Sequence, residues 1–294
     1  MKETDFKSIS LIAEESIDKL EEMQGNRYGS GIPSGFDIID NNFSGWQDNE
    51  LIVIGGRPAM GKTSFAIKIA RNAAERGFPV LFRSIEMSRQ HIMFRIISDM
   101  ADVDSRRLID GVLTTEHWSR ITEAAGVIND LPFFINDKPD ETIESLKNSI
   151  ISFHEKHGHC LIIIDNLQYI DGTNSERKDI EIGTVTRGLK LIANELCIPI
   201  VITSHLNRKL EERSDKRPQI TDLRGSGEIE QDADVIAFLY RDEVYNPGSP
   251  TADVKSNEGY AEFIVAKNRD GITGRVTLTF VPHRSTFENY KSSP

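Results

Sequence analysis

The stretch LIVIGGRPAMGKTS, residues 51–64, constrains this chain more than any other. Four apolar residues run into Gly56-Arg57-Pro58-Ala59-Met60-Gly61-Lys62-Thr63, and a helical pattern begins at once. This is the G-x-x-x-x-G-K-T pattern in the strand–loop–helix setting it requires. Glycines let the backbone curl so that successive amides point inward. The free N–H groups and partial positive charge of the new helix attract phosphate. Lys62 is placed for the β- and γ-phosphates of a nucleotide such as ATP, and the Thr63 hydroxyl for Mg2+. The expected nucleotide-binding run is therefore Gly56, Arg57, Pro58, Ala59, Met60, Gly61, Lys62, Thr63 and Ser64.

The rest of the chain fits a fold that can present such a loop. Short apolar runs at Leu51 to Ile54, Val80 to Ser84, Cys160 to Ile164, Pro199 to Thr203 and Val235 to Tyr240 read as buried strands. Amphipathic patterns lie between several of them: Thr63 to Glu75, Glu141 to His157 and Asp179 to Leu196. Apolar strands alternating with helices predict an α/β fold, a mostly parallel central sheet with helices on both faces. Residues 259–267 and 273–281 flank the turn DGIT and predict an antiparallel hairpin at the sheet edge. Cys160 and Cys197 are too far apart for a metal pair and are expected as buried thiols in a reducing cytoplasm. No apolar run reaches membrane-spanning length. The formal net charge of −11 argues against general attraction to nucleic acid, so any such site must be local.

Three further strand ends carry polar side chains. CLIIIDN ends in Asp165, read either as a magnesium-site carboxylate or as the start of an ordinary turn. VLFRSIEM ends in Glu86, either a general base or a surface glutamate. IPIVITSHLNR ends in Ser204 and His205, whose imidazole either senses a γ-phosphate or is structural. Lys267 and Arg269 in AKNRDG leave one strand end on the same side, since i and i+2 share a face.

The segments GIPSGFDIID, GRPAMGKT, SIEM, IIIDNLQ, SHLNR, DKRPQITDLRGSGEIEQDADVI, YRDEVY and AKNRDG resemble, in order, the carboxy-terminal ATPase domain of DnaB-type replicative helicases. The likeness runs from about Gly31 to Tyr290. It implies a RecA-like P-loop ATPase that works as a homo-hexameric ring on single-stranded DNA and hydrolyses ATP between subunits. A helicase loader and primase are implied partners, and five-prime to three-prime polarity rests on the likeness alone. Asp165 then becomes the magnesium-site carboxylate, Glu86 the base and His205 the γ-phosphate sensor. Arg269 resembles the arginine finger and Lys267 its companion, both reaching a neighbour's ATP. The DNA loop would be Leu223, Arg224, Gly225, Ser226 and Gly227, with Arg177 and Lys178 either adding to it or simply solvated. The chain departs from the family pattern at His205, where bacterial members usually carry Gln, at Gly225, where an acidic residue is common, and at Asn166, where an aromatic is common. No functional change attaches to Asn166 from sequence. Such helicases also carry an amino-terminal domain, whereas here an amphipathic helix and loop, residues 1–30, precede a motor of residues 31–290 and a tail of 291–294. The helix, with Phe6, Ile9, Ala13, Ile17 and Leu20 in a stripe, resembles the linker helix that docks on the neighbouring subunit. Two other readings stay open: a ring or filament ATPase of the recombinase kind without unwinding, and a non-catalytic helicase-associated protein.

Overall fold

A computed structural model describes residues 7–23, 31–139, 141–172, 178–249 and 256–291. In chain order the elements are α1 (Ile9–Met23), α2 (Asp37–Phe43), β1 (Leu51–Gly56), α3 (Lys62–Glu75), β2 (Val80–Ser84), α4 (Arg89–Ala101), α5 (Ser105–Asp110), α6 (Thr115–Asn129) and β3 (Phe133–Asn136). There follow β4 (Glu141–Thr142), α7 (Ile143–His157), β5 (Leu161–Asp165), β6 (Ile170–Asp171), α8 (Lys178–Leu196), β7 (Ile200–His205), α9 (Ser226–Asp232), β8 (Val235–Tyr240), β9 (Tyr260–Asn268), β10 (Gly274–Val281) and β11 (Thr286–Asn289).

Among the described residues one nine-stranded sheet has the order β11-β10-β9-β8-β1-β7-β5-β2-β3. The run from β8 to β3 is parallel, and β9, β10 and β11 add antiparallel. The period of two along each strand divides the core. Ile52 and Ile54 face one layer, with Phe65, Ile69 and Ala73 of α3. Leu51 and Val53 face the other, with Leu146 and Ile150 of α7 and Val185, Leu189 and Ile192 of α8. The inner strands are apolar on both faces because helices cover both.

The expected α/β architecture holds, with three corrections. Residues 89–129, outside the alternating pattern read from sequence, form α4 to α6 with a small core of Ala101, Val103 and Ala124. The hairpin is not the edge, since β11 pairs outside it, and the strands stop at Asn268 and restart at Gly274, so the connection is longer than DGIT. Cys160 is buried, and burial pushes its thiol up to about 12, but Cys197 is exposed. Cys197 sits in the left-handed region (φ 53°) just after α8, and that turn carries it outward.

Candidate active site

β1 ends at Gly56, and the loop to α3 closes tightly: Ala59 (φ 68°) and Gly61 (φ 94°) take left-handed conformations. Gly61 precedes the first turn of α3 without a side-chain cap, so that turn's N–H groups are left for a ligand. The Lys62 ammonium donates to the carbonyls of Gly56 (2.8 Å) and Arg57 (3.3 Å). Burial lowers its pKa to about 8, against the opposing pull of Asp165 and Glu86. A buried cation held by carbonyls is a site that phosphate oxygens fit.

Parallel pairing brings four strand ends side by side. Thr63 Oγ1 donates to Asp165 Oδ2 (2.7 Å) at the end of β5, and Thr203 of β7 donates to Asp165 Oδ1. Glu86 follows β2, whose Ser84 lies level with Asp165, and His205 lies level with Gly56. Glu86 Oε2 stands 3.7 Å from His205 Nε2. Desolvation, then the charge of Lys62, lowers the His205 pKa. Lys62, Thr63, Glu86 and His205 line a cleft of about 460 Å3 together with Pro58, Ala59, Gly61, Ser64 and Arg95, with Asp165 buried behind Thr63. A larger groove, about 800 Å3, lies between α2 and the β9–β10 pair. No glycine is among its lining residues, and Lys62 and Thr63 line the smaller cleft instead.

Several residues around the cleft have no role from sequence, apart from Arg241, read with Tyr240 as a neighbour of the nucleotide base. Asn166 donates from Nδ2 to Glu86 Oε2 (2.8 Å) and to His205 Nε2 (3.0 Å), at the position where sequence assigned no task. Gln168 accepts from the His205 N–H (3.0 Å) and donates to Ser204 Oγ (2.8 Å). Arg95 of α4 donates to Ser64 Oγ (3.2 Å). Arg241 donates to the Ala59 carbonyl (2.9 Å) and lies over the Phe280 ring, 3.6 Å from its centroid, bracing the loop from the side. Arg57 turns away from the cleft, to Glu211 (2.9 Å) and the Leu206 carbonyl (3.0 Å), and Met60 is buried.

Lys267 and Arg269 lie at the other end of the sheet, because β9 runs antiparallel to β8 and Asn268 pairs with Val235. Both cations converge on the C-terminal end of α9. Lys267 Nζ donates to the Glu230 and Ala233 carbonyls, and Arg269 to the Gln231 carbonyl (3.0 Å) and Asp234 Oδ1 (2.8 Å). Cations suit that end of a helix. Buried Asp234 also accepts from Lys190 (2.6 Å) and from the Leu51 N–H (2.9 Å). The opposite end of α9 holds the glycine segment. The loop there is shorter than expected, since Ser226 and Gly227 already form the first helical turn. Arg224 is exposed, and Gly225 takes φ 71° against the Ile182 side chain, where a Cβ would meet it at 3.0 Å. Arg177 lies outside the described residues, as does the side chain of Lys178.

Residues 31–289 match the family of the DnaB-like helicase C terminal domain. The chain is 38% identical over 289 residues to the replicative DNA helicase DnaB of Geobacillus stearothermophilus, covering 97% of this chain and 62% of that protein. To the DnaB of Buchnera aphidicola subsp. Acyrthosiphon pisum it is 40% identical over 298 residues, covering 98% and 63%. The chain thus spans about three fifths of the length of these relatives. Among solved structures, an ATPase domain superposes with a TM-score of 0.90 at 31% identity, covering 98% of this chain and 100% of that one. A DnaB-like replicative helicase studied with its interactions with primase gives 0.86 at 31% identity, over 99% and 69%. The RecA-like sheet, the strand-end site and a family match over most of its length agree: this chain belongs to the DnaB-like helicase C-terminal domain family.

Proposed function

We propose that this chain is the motor of a hexameric replicative DNA helicase, an ATP hydrolase that moves along single-stranded DNA and unwinds duplex. One observation carries the reading: Lys62, Thr63, Asp165, Glu86 and His205 meet at one end of the sheet, while Lys267 and Arg269 sit at the other. In a ring, the second group of one subunit faces the first group of the next. Hydrolysis then depends on assembly, because charge supplied in trans stabilises the phosphoryl transition state by roughly 10³–10⁵ in rate.

Lys62 and the Gly56–Ser64 loop would hold the phosphates. Thr63 and Asp165, already in contact, fit a magnesium ion with Asp165 acting through water; bound there, magnesium neutralises charge on the phosphates. Glu86 would take the proton of the attacking water, and His205 would report the γ-phosphate to the adjoining backbone. Arg224 and the first-turn amides of Gly225, Ser226 and Gly227 would contact DNA phosphates, which position a strand without reading its sequence. Six copies of Arg224 would supply local positive charge despite the net charge of −11.

Residues 31–290 form the motor in this reading, and residues 1–30 the linker. Ile9, Ile12, Ile17 and Leu20 of α1 are exposed in the single chain, which supports docking on the neighbouring subunit. A loader and primase remain proposed partners, and the cytoplasm the proposed compartment; no helix among the described residues is long and apolar enough to cross a membrane. The test is native mass with nucleotide and single-stranded DNA, paired with strand displacement on a partial duplex. ATP turnover without displacement would favour the recombinase-like reading, and absence of magnesium-dependent turnover in the assembled state would overturn the motor.

A further inference from the structure

Asn166 joins two groups that the proposed reaction uses at different moments. Its Oδ1 accepts from the Gln168 N–H (3.2 Å), which fixes the amide so that Nδ2 faces the cleft. The two Nδ2 hydrogens go to Glu86 Oε2 (2.8 Å) and His205 Nε2 (3.0 Å). An amide nitrogen only donates, so His205 Nε2 accepts and the imidazole is neutral with its proton on Nδ1. Glu86 and His205 are therefore not an ion pair across their 3.7 Å gap, but two acceptors held by one neutral donor. Held in this way, Glu86 Oε2 commits to Asn166 an acceptor site that the proton of an attacking water would otherwise use.

The same donor connects with the glycine segment. His205 ends β7, and the next residue, Leu206, forms an antiparallel bridge with Leu223. The Asn207 N–H donates to the Asp222 carbonyl (2.8 Å). A ligand pulling on Leu223 and Arg224 thus pulls on backbone directly attached to the imidazole. Asn166 is anchored to a different strand end, that of β5. Movement of β7 against β5 would stretch the contact at Nδ2, and hydrogen bonds weaken steeply with misalignment.

We propose that Asn166 is a positioning residue that restrains Glu86 against His205 and makes hydrolysis depend on single-stranded DNA at the Leu223–Gly227 segment. The inference rests on the motor reading above. Asn166→Ser in the full chain separates the roles of this side chain. Serine keeps an oxygen that can cap the turn after β5 but has no amide pair. Its DNA-free kcat for ATP should rise on the order of tenfold, the rate equivalent of one charge-assisted hydrogen bond. DNA-saturated kcat and the affinity for a fluorescent ATP analogue should hold, so the stimulation by a mixed-sequence oligonucleotide collapses. A crystal structure of the nucleotide-free variant should show the Glu86 carboxylate released from His205.

Equal loss of DNA-free and DNA-saturated turnover, an unchanged ratio between them, or an unmoved Glu86 would each overturn the inference alone. A parent chain whose hydrolysis ignores DNA would overturn the motor reading and this inference together. If melting by circular dichroism shows that Asn166→Ser does not fold, Asn166→Thr carries the same expectations.

Discussion

Individual charged residues are kept by this fold in places that cost stability. Glu50 precedes β1, and its carboxyl is raised to about 7, first by burial and then by the nearby charges of Asp234 and Asp270. A carboxyl that titrates higher when folded favours the folded state while it is protonated. That contribution is lost as pH rises from the unfolded value of 4.5 through 7. Glu50→Gln should therefore stabilise the chain by about 1–3 kcal/mol at pH 8 and by almost nothing at pH 4. Urea unfolding at the two values measures this, and an equal effect at both would exclude the ionised carboxylate as the cause. Arg224 is exposed and sits beside the first turn of α9. Arg224→Ala should weaken DNA binding on every sequence and lower the salt slope by about 0.7 for each phosphate it no longer neutralises. An unaltered slope would remove Arg224 from the interface.

Among the elements, α3 is the one on which the phosphate loop depends. Phe65, in its first turn, stacks on Phe36 (5.3 Å) and Phe263 (5.3 Å) and meets Phe287 edge-on (5.6 Å). The antiparallel strands β9 and β11 thus clamp the helix that carries Lys62 and Thr63. Phe65→Ala should cost about 3–5 kcal/mol in denaturant unfolding and should reduce nucleotide affinity. Full affinity in a destabilised protein would separate the clamp from the loop. α9 works at both ends, with the glycine turn at one and the Lys267–Arg269 cations on the other's carbonyls. This arrangement is visible only in three dimensions, because residues 224 and 269 are far apart in the chain.

For the molecule as a unit, the decisive property is the separation of the two charged clusters across the sheet. Arg269→Ala and Lys62→Ala should each be inactive alone, Arg269→Ala while still binding nucleotide. Mixed and reassembled, they should recover part of the turnover, because some interfaces pair an intact Lys62 with an intact Arg269. No recovery in rings verified by native mass would count against a shared site. Deleting residues 1–25 should reduce ring mass and turnover together, since the exposed apolar stripe of α1 would lose its seat on a neighbour. A full-size ring after the deletion would refute that role for α1.

Local chemistry was legible in the order of the amino acids. The tight loop from Gly56 to Thr63 between β1 and α3 could be read because its pattern is contiguous in the chain. The inner strands could be read because burial on both faces leaves unbroken apolar runs, and Asp165, Glu86 and His205 because they stand where those runs stop. Residues 89–129 escaped because three helices follow one another there with no strand between them, sharing a small core of their own while Ile92 and Ile96 of α4 join the main one. β3 and β11 escaped because four-residue strands carry almost no periodic signal. Which side chains answer one another was settled by folding. Asn166 bridges Glu86 and His205 because parallel pairing brings distant strand ends level, and Asp234 holds Arg269 with Lys190 because antiparallel pairing sets the end of β9 beside the start of β8, with α8 packed alongside. Such contacts depend on register and side-chain direction across the sheet, and no stretch of the chain encodes them alone.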